Sequence, residues 1–404
     1  MKYVNKKLTI ERISVESIAK KYGTPAYCYS FNSLKENIHN FKKSFKSFSP
    51  LICFAIKSNS NLSLLREIKK FGLGADVVSI GELMIAIKAG INPKKIVFSG
   101  VGKTFNEIKY AIDKKILLIN AESESEILQI EKIAKLRRKK IQIGIRLNPN
   151  TDAKTLSQIS TGKKENKFGI NSKALIKLVN KYRNSKNIEI KCLSVHIGSQ
   201  ILDHKPYEKM LVAIKKILDK INYKFEFIDL GGGMGISYEY NYKKLDYHKY
   251  NIAIKNFLKT YKSKIIFEPG RAIIGNVGTL VSKIIYIKKS EKKNFVILDT
   301  AMNDLMRPAL YGAKHRILPS LKSNKVSKKI YEFVGPICES TDKFSTLKRF
   351  KELREKEIIV FCDVGAYGMS LSSNYNLRPK PIELLIKGSK VKVIKLRQKH
   401  KDFI

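Results

Sequence analysis

Apolar positions along this chain follow two rhythms. From about residue 50 to 270, short runs rich in Ile, Val and Phe alternate with longer stretches of helical spacing. The runs are LICFAIK (51–57), ADVVS (75–79), KIVFSG (95–100), ILLIN (116–120), IQIGIRLN (141–148), CLSVHIG (192–198), FEFIDLGGG (225–233) and KIIFEPG (264–270). Continuous apolar runs closed by Gly, Asn, Ser or Pro suit strands buried on both faces of a parallel sheet. Between them, LSLLREIKKFG (62–72), GELMIAIKAG (81–90) and SESEILQIEKIAKL (123–136) predict helices. Gly72 and Gly90 occupy C-terminal capping positions, and Ser123 with Glu126 predicts a capping box.

Eight such runs alternating with helices predict a (β/α)8 TIM barrel over 34–274. A doubly wound open sheet has a similar alternation. The polar residues favour the barrel: Lys57, Ser79, Gly100, Asn120, Asn148, His196, Gly231 to Gly233 and Glu268 all fall at the carboxyl ends of runs, where barrel enzymes carry their chemistry. Beyond Arg271, runs at 277–288, 294–300, 329–336, 357–367, 382–388 and 391–397 follow one another with turns and little helix. They predict a C-terminal antiparallel β-domain over 275–404. The strand-like AYCYS (26–30) places the N-terminal segment, 1–33, in that domain and makes it discontinuous.

Composition narrows the class. Hydrophobic residues at 43% and charged residues at 28% are those of a globular protein. The net charge of +44 would ordinarily suggest nucleic acid or an anionic membrane as partner. Yet the charge is spread along the whole chain, and it comes from 66 lysines and only 13 arginines. Arginine is the better bidentate reader of phosphates and bases, so no nucleic-acid partner is expected. No run approaches the ~20 apolar residues of a membrane span, and MKYVNKKLTIERIS lacks the apolar centre of a secretory signal. Cys28, Cys53, Cys192, Cys338 and Cys362 are scattered, with no CxxC, which argues against a disulfide framework or a metal module and for a reducing cytoplasm.

Several residues are candidates for chemistry. Lys57 is either a solvated strand end or a partly desolvated amine free for Schiff-base formation. GGGMG (231–235) is a flexible turn or a backbone cradle for a phosphate. His196 is a satisfied core residue or a ligand contact, and Glu268 in FEPGR needs a buried partner, either an arginine or a cationic ring nitrogen. In the β-domain, NDLMRPALYGAKH (303–315), PICESTDKF (336–344) and DVGAYGMSLSSNYNLRP (363–379) are polar clusters that are individually unspecific.

Taken together, YGTPAYCY (22–29), FAIKSNSN (54–61), GADVVSIGEL (74–83), IVFSGVGKT (96–104), STGKKENKFGI (160–170), HIGSQ (196–200), DLGGGMGI (229–236), EPGRAI (268–273), MNDLMRPALYGAKH (302–315), GPICESTD (335–342) and GAYGMSLSSNYNLRP (365–379) give a resemblance over nearly the whole chain. The sequence resembles the alanine-racemase-like (fold type III) pyridoxal-phosphate enzymes, most closely the diaminopimelate decarboxylase family. The resemblance implies pyridoxal 5′-phosphate as cofactor, Lys57 as its Schiff-base lysine, His196 against its ring and Glu268 at its pyridine nitrogen. It further implies Ser199, Gly232, Gly233, Gly270, Arg271 and Tyr367 as cofactor contacts. Arg271, Arg307, Tyr311, Glu339 and Tyr367 match substrate-binding positions, and Cys338 matches a proton donor. The implied reaction converts meso-diaminopimelate to L-lysine and carbon dioxide in a homodimer whose active sites are shared across subunits. A related decarboxylase acting on ornithine, arginine or carboxynorspermidine is the alternative. Departures from the family pattern include Ser58, where alanine is frequent, and TLSQIS (155–160).

Overall fold

Strand after strand, the apolar runs close on themselves. The computed structural model describes residues 1–153, 155, 159–162, 165–238 and 243–404. Part of the divergent TLSQIS segment and Lys163 and Lys164 of STGKKENKFGI lie outside these residues. The chain divides into two compact units. One comprises Ile38–Ile236 and Lys243–Ala272; the other comprises Met1–Asn37 and Ile273–Ile404, with Ser237 and Tyr238.

The first unit is a closed, all-parallel barrel of eight strands. In chain order these are Leu51–Ala55, Gly74–Val77, Ile96–Phe98, Leu118–Ala121, Ile141–Arg146, Ile188–Ser194, Phe227–Asp229 and Lys264–Phe267, and the last pairs with the first. Side chains alternate along each strand, so the interior is built in layers two residues apart. Cys53, Val97, Leu118, Cys192, Phe227 and Ile266 form a buried apolar layer. Two residues further along the chain come Ala55, Asn120, Ser194 and Asp229 within their strands, and Ser99 and Glu268 one residue past theirs. Hydrogen bonds from Asn120 to Asp229 and from Ser99 to Glu268 join non-adjacent strands, which places these side chains inside the barrel. Between those layers Phe267 points outward and joins Phe41, Phe45 and Tyr250; its ring centroid is 4.6 Å from that of Phe45. This packing fixes the backbone just before Glu268.

Helix ends follow the sequence signals in most places. Gly72 and Gly90 take positive φ, +81° and +82°, just past the helices Leu62–Lys70 and Ile80–Lys88. Ser123 caps the helix Glu124–Leu136 by accepting from the Glu126 N–H at 3.2 Å. The expected reciprocal half of that capping box does not form. The Glu126 carboxylate accepts instead from the Glu122 N–H and pairs with Lys103, a buried cation with stronger need of it. A full box forms at Thr104 and Glu107.

The second unit is built on a nine-stranded sheet. Ala26–Ser30 sits between Gly278–Lys288 and Ile382–Lys387, so the N-terminal segment is part of this sheet. Most pairs are antiparallel, but two are parallel: Ala26–Ser30 with Ile382–Lys387, and Lys293–Leu298 with Ile330–Val334. The second of these is possible because the connection between its strands is long and carries the short helix Arg307–Tyr311. Among the described residues, no helix is long and apolar enough to cross a membrane.

Glycines in the barrel interior mark the tightest packing. A Cβ on Gly144 would stand 2.0 Å from Asn120 Oδ1 and 3.2 Å from Cys192 Cβ, whereas one on Gly102 would meet nothing within 4 Å. Gly144→Ala is therefore expected to cost about 2 kcal/mol in denaturant unfolding, and Gly102→Ala less than about 0.5 kcal/mol. Equal effects would contradict this layer assignment.

Candidate active site

Every barrel residue singled out above lies at or just beyond the carboxyl end of its strand. Lys57 sits in the 3-10 turn Ile56–Ser58 that follows the strand Leu51–Ala55, rather than inside the strand. Its Nζ is 2.5 Å from Oδ2 of Asp76, whose side chain is fully buried while that of Lys57 is 36% exposed. The amine is thus oriented by a carboxylate yet open to a ligand. Ser58 turns inward, donates to the Ala55 carbonyl at 2.7 Å, and packs where Gly270 leaves room for it.

His196 is two residues past the strand Ile188–Ser194, in the loop rather than at the strand's last positions. The Gly232 N–H donates to its Nδ1 at 3.2 Å, which leaves Nε2 as the N–H of a neutral ring. Burial, then the charges of Arg146 and Lys57, hold its pKa well below the usual histidine value. The glycine run is required by this approach. A Cβ on Gly231 would lie 2.7 Å from His196 Nδ1, and one on Gly233, at φ +87°, would lie 2.3 Å from the Gly198 carbonyl oxygen. One N–H of the expected phosphate cradle, that of Gly232, thus serves the histidine. Nearby, Arg271 is buried and donates from Nη2 to Ser199 Oγ at 3.0 Å.

Glu268 is 6% exposed and accepts from Ser99 Oγ at 3.4 Å. Burial, then the charges of Asp229 and Asp76, push its pKa well above the usual carboxylate range. Asp229, bonded to the Gly231 N–H at 2.9 Å and to Asn120 at 3.2 Å, is itself pushed up to about 6 by burial. The two carboxyls titrate as a pair with the proton favouring Glu268, and Asp76 Oδ1 meets no hydrogen-bond partner among the described residues. A carboxylate layer of this kind calls for a cationic group above it.

Sequence reading passed over Asp76, Asp229, Glu122 and Arg146. Arg146 Nη1 pairs with Glu122 Oε1 at 2.8 Å, and Glu122 also accepts from the Gly100 and Gly169 N–H groups, tying three loops together. The usable signal was an ionisable side chain inside an apolar run, as in ADVVS, FEFIDL and IQIGIR.

The β-domain holds a second group of candidates. Arg307 and Tyr311 lie one turn apart on the helix Arg307–Tyr311; Arg307 is buried and Tyr311 half-buried. Cys338 is exposed. Beside it, Glu339 accepts from the hydroxyls of Tyr375 at 2.5 Å and Thr341 at 2.9 Å. These bonds, Tyr375 first, hold its pKa below the usual value. Asp342 accepts from the N–H groups of Ile337 and Met302, both at 2.7 Å, and so anchors the loop that carries Cys338 and Glu339. Tyr367 has φ +58°, a strained backbone for a non-glycine residue.

An amine held by a carboxylate, a buried acid in need of a cation, a neutral imidazole and a glycine-lined turn suit a ligand that is aldehydic, cationic at a ring nitrogen and anionic at its far end. Pyridoxal phosphate is such a ligand, and barrel proteins that bind it form the class to which this arrangement points. Residues 31–275 match the family described as pyridoxal-dependent decarboxylase, pyridoxal binding domain. The chain is 38% identical to the diaminopimelate decarboxylase of Aquifex aeolicus over 407 residues, covering 100% of this chain and 96% of that one. Identity to the Helicobacter pylori strain J99 enzyme of the same name is 43% over 392 residues, with 96% of each chain covered. The crystal structure of Helicobacter pylori diaminopimelate decarboxylase complexed with L-lysine superposes with a TM-score of 0.91 at 43% identity, covering 96% of this chain and 97% of that one. A lysine/ornithine decarboxylase from Vibrio vulnificus, at 16% identity and a TM-score of 0.80 over 93% of this chain and 97% of that one, shares the fold. The chain belongs to the pyridoxal-dependent decarboxylases and, among them, to the diaminopimelate decarboxylase family.

The acid layer makes a prediction for the cofactor-free protein. Because the folded-state pKa of Glu268 is raised, the native state binds its proton more tightly than the unfolded chain, and stability falls as pH rises past the unfolded value of about 4.3. Glu268→Gln removes that loss. Its melting temperature should equal that of wild type near pH 4 and exceed it by about 2–4 °C near pH 8. A difference independent of pH would contradict the assignment.

Proposed function

We propose that this chain decarboxylates meso-diaminopimelate to L-lysine and carbon dioxide, with pyridoxal 5′-phosphate held by the residues of the barrel mouth. The observation that carries the residue assignment is the meeting of Lys57 with the Asp76, Asp229 and Glu268 carboxyls at one end of the barrel. Bound there, the cofactor supplies an aldehyde for amine condensation and a ring that accepts the electron pair released when carbon dioxide leaves.

The chain's own residues divide the remaining work. Lys57 supplies the amine that holds the cofactor and gives way to the substrate amine; Asp76, 2.5 Å away, orients it and stabilises its charged form. Glu268 keeps a ring nitrogen charged by offering a buried acidic partner. His196, neutral and fixed by the Gly232 N–H, offers a flat face without adding a competing charge. Gly233, Gly270, Ser199 and Arg271 serve the phosphate end. In the β-domain, Arg307 and Tyr311 suit the carboxylate at the far end of the substrate, and Glu339 suits its ammonium. Arg271 and Tyr367 complete the substrate contacts, with Tyr367 also against the cofactor. Cys338 delivers the final proton to carbon.

This reading includes a cytoplasmic homodimer in which the Cys338–Glu339 loop of one protomer completes the partner's site. What supports it is an apolar surface around that loop: Tyr375, hydrogen-bonded to Glu339, and Leu377 are 44% and 69% exposed.

Reconstitution with pyridoxal phosphate should give a visible absorption band and release of carbon dioxide from meso-diaminopimelate but not from ornithine. Lys57→Ala should abolish both band and activity. Release from ornithine alone would overturn the substrate assignment, and a colourless wild type would overturn the site. Cys338→Ala should lower kcat by about 10²–10⁴-fold, the usual contribution of a positioned proton donor, with the band intact; unchanged turnover would remove Cys338 from the mechanism.

A further inference from the structure

We propose that His315 is a positioning residue that aims the Arg307 guanidinium at the carboxylate on the far end of the substrate. This rests on the reading of Arg307 as a substrate-binding residue. Arg307 opens the helix Arg307–Tyr311, which ends at Gly312 in a left-handed conformation, φ +61°. The chain then turns into the strand Ile317–Pro319, whose Ile317 pairs with Phe361. That path brings His315 back beside Arg307 on one side and the Cys362 backbone on the other. Both Arg307 and His315 are 6% exposed.

The hydrogen bonds define the imidazole. Nε2 is 2.8 Å from Arg307 Nη1, and Nδ1 is 2.9 Å from the Cys362 carbonyl oxygen. A guanidinium only donates and a carbonyl only accepts. Both contacts are satisfied by one form, the neutral ring with its proton on Nδ1, donating to Cys362 and accepting from Arg307. The Cys362 carbonyl is a fixed anchor, since the Cys362 N–H donates to the Arg316 carbonyl at 2.9 Å. Tyr238 completes the setting. Its ring lies 4.3 Å from the Arg307 guanidinium carbon and meets the His315 ring edge-on at 5.2 Å.

Neutrality is what suits His315 to this place. A carboxylate would also orient the guanidinium but would cancel much of the charge needed for an anionic substrate group. Asp363, next in the chain to Cys362, is held by Arg316 through two bonds of 3.0 and 3.1 Å. The imidazole therefore fixes the direction of the guanidinium without adding a negative charge of its own beside it.

The test uses the holoenzyme and two ligands that differ by one carboxylate, L-lysine and cadaverine, titrated calorimetrically. His315→Asn keeps an amide N–H for the Cys362 carbonyl but offers nothing at the Nε2 position. It should weaken L-lysine by about tenfold or more, leave cadaverine affinity unchanged, lower the melting temperature only by the few degrees that one unpaired buried donor costs, and raise KM for meso-diaminopimelate more than it lowers kcat. His315→Gln, whose amide oxygen reaches the Nε2 position, should recover part of the L-lysine affinity. Unchanged L-lysine affinity in His315→Asn, or an equal loss for both ligands, would overturn the proposal. Arg307→Met separates the two levels. Loss of L-lysine affinity there without loss in His315→Asn overturns the role of His315 alone, whereas no loss in Arg307→Met overturns the reading of Arg307 itself.

Discussion

Three acidic side chains, Asp76, Asp229 and Glu268, are enclosed at the mouth of a closed barrel with Lys57 among them, and most of the barrel's design follows from keeping them there. One layer below, Cys53, Val97, Leu118, Cys192, Phe227 and Ile266 are apolar and tightly packed. The change from hydrocarbon to carboxyl takes two residues on each strand, so a one-residue slip of register would turn the acids outward. Phe267, clamped in the aromatic cluster outside the barrel, prevents such a slip next to Glu268. Burying acids without enough cations costs stability, and the protein accommodates this partly by retaining a proton on Glu268. A cationic ring bound above these acids would relieve that cost, so the same feature would favour such a cofactor.

The two units handle charge by opposite rules. At the barrel mouth, the charge of Asp76 raises the proton affinity of Asp229 and Glu268, with Lys57 paired to Asp76. In the β-domain, Arg307 is held by an imidazole that brings no charge of its own and by an aromatic face. Against these local choices the +44 of the whole chain is diffuse. It is carried mostly by lysines along the sequence, and only Lys57, Arg271 and Arg307 among the basic residues were assigned to chemistry from sequence.

Lys57 and Glu268 were legible because each follows an apolar run, and strand ends in a parallel barrel point into one mouth. Asp76 and Asp229 were not, although they are the more deeply buried, because each lies inside its run and the pattern absorbs it as part of a strand. Arg146 was hidden in the same way in IQIGIR. Local capping rules carried less far. The half-formed box at Ser123 shows a tertiary partner, Lys103, outbidding a backbone N–H for Glu126. The β-domain's sheet was visible as a run of strands, but its two parallel pairs depend on long connections that periodicity does not encode. His315 closes the motif MNDLMRPALYGAKH, but nothing in the motif showed its link to Arg307, which comes from a turn that returns the chain to that residue.

Under the proposed function, the acid layer of Asp76, Asp229 and Glu268 would hold a protonated ring nitrogen. Nitrogen-15 NMR of the holoenzyme, reconstituted with cofactor labelled at the pyridine nitrogen, reads that proton directly. The expected shift is that of a protonated nitrogen from about pH 6 to pH 8 in wild type, and that of an unprotonated one in Glu268→Gln at the upper end. An unprotonated nitrogen in the wild-type protein across that range would contradict it.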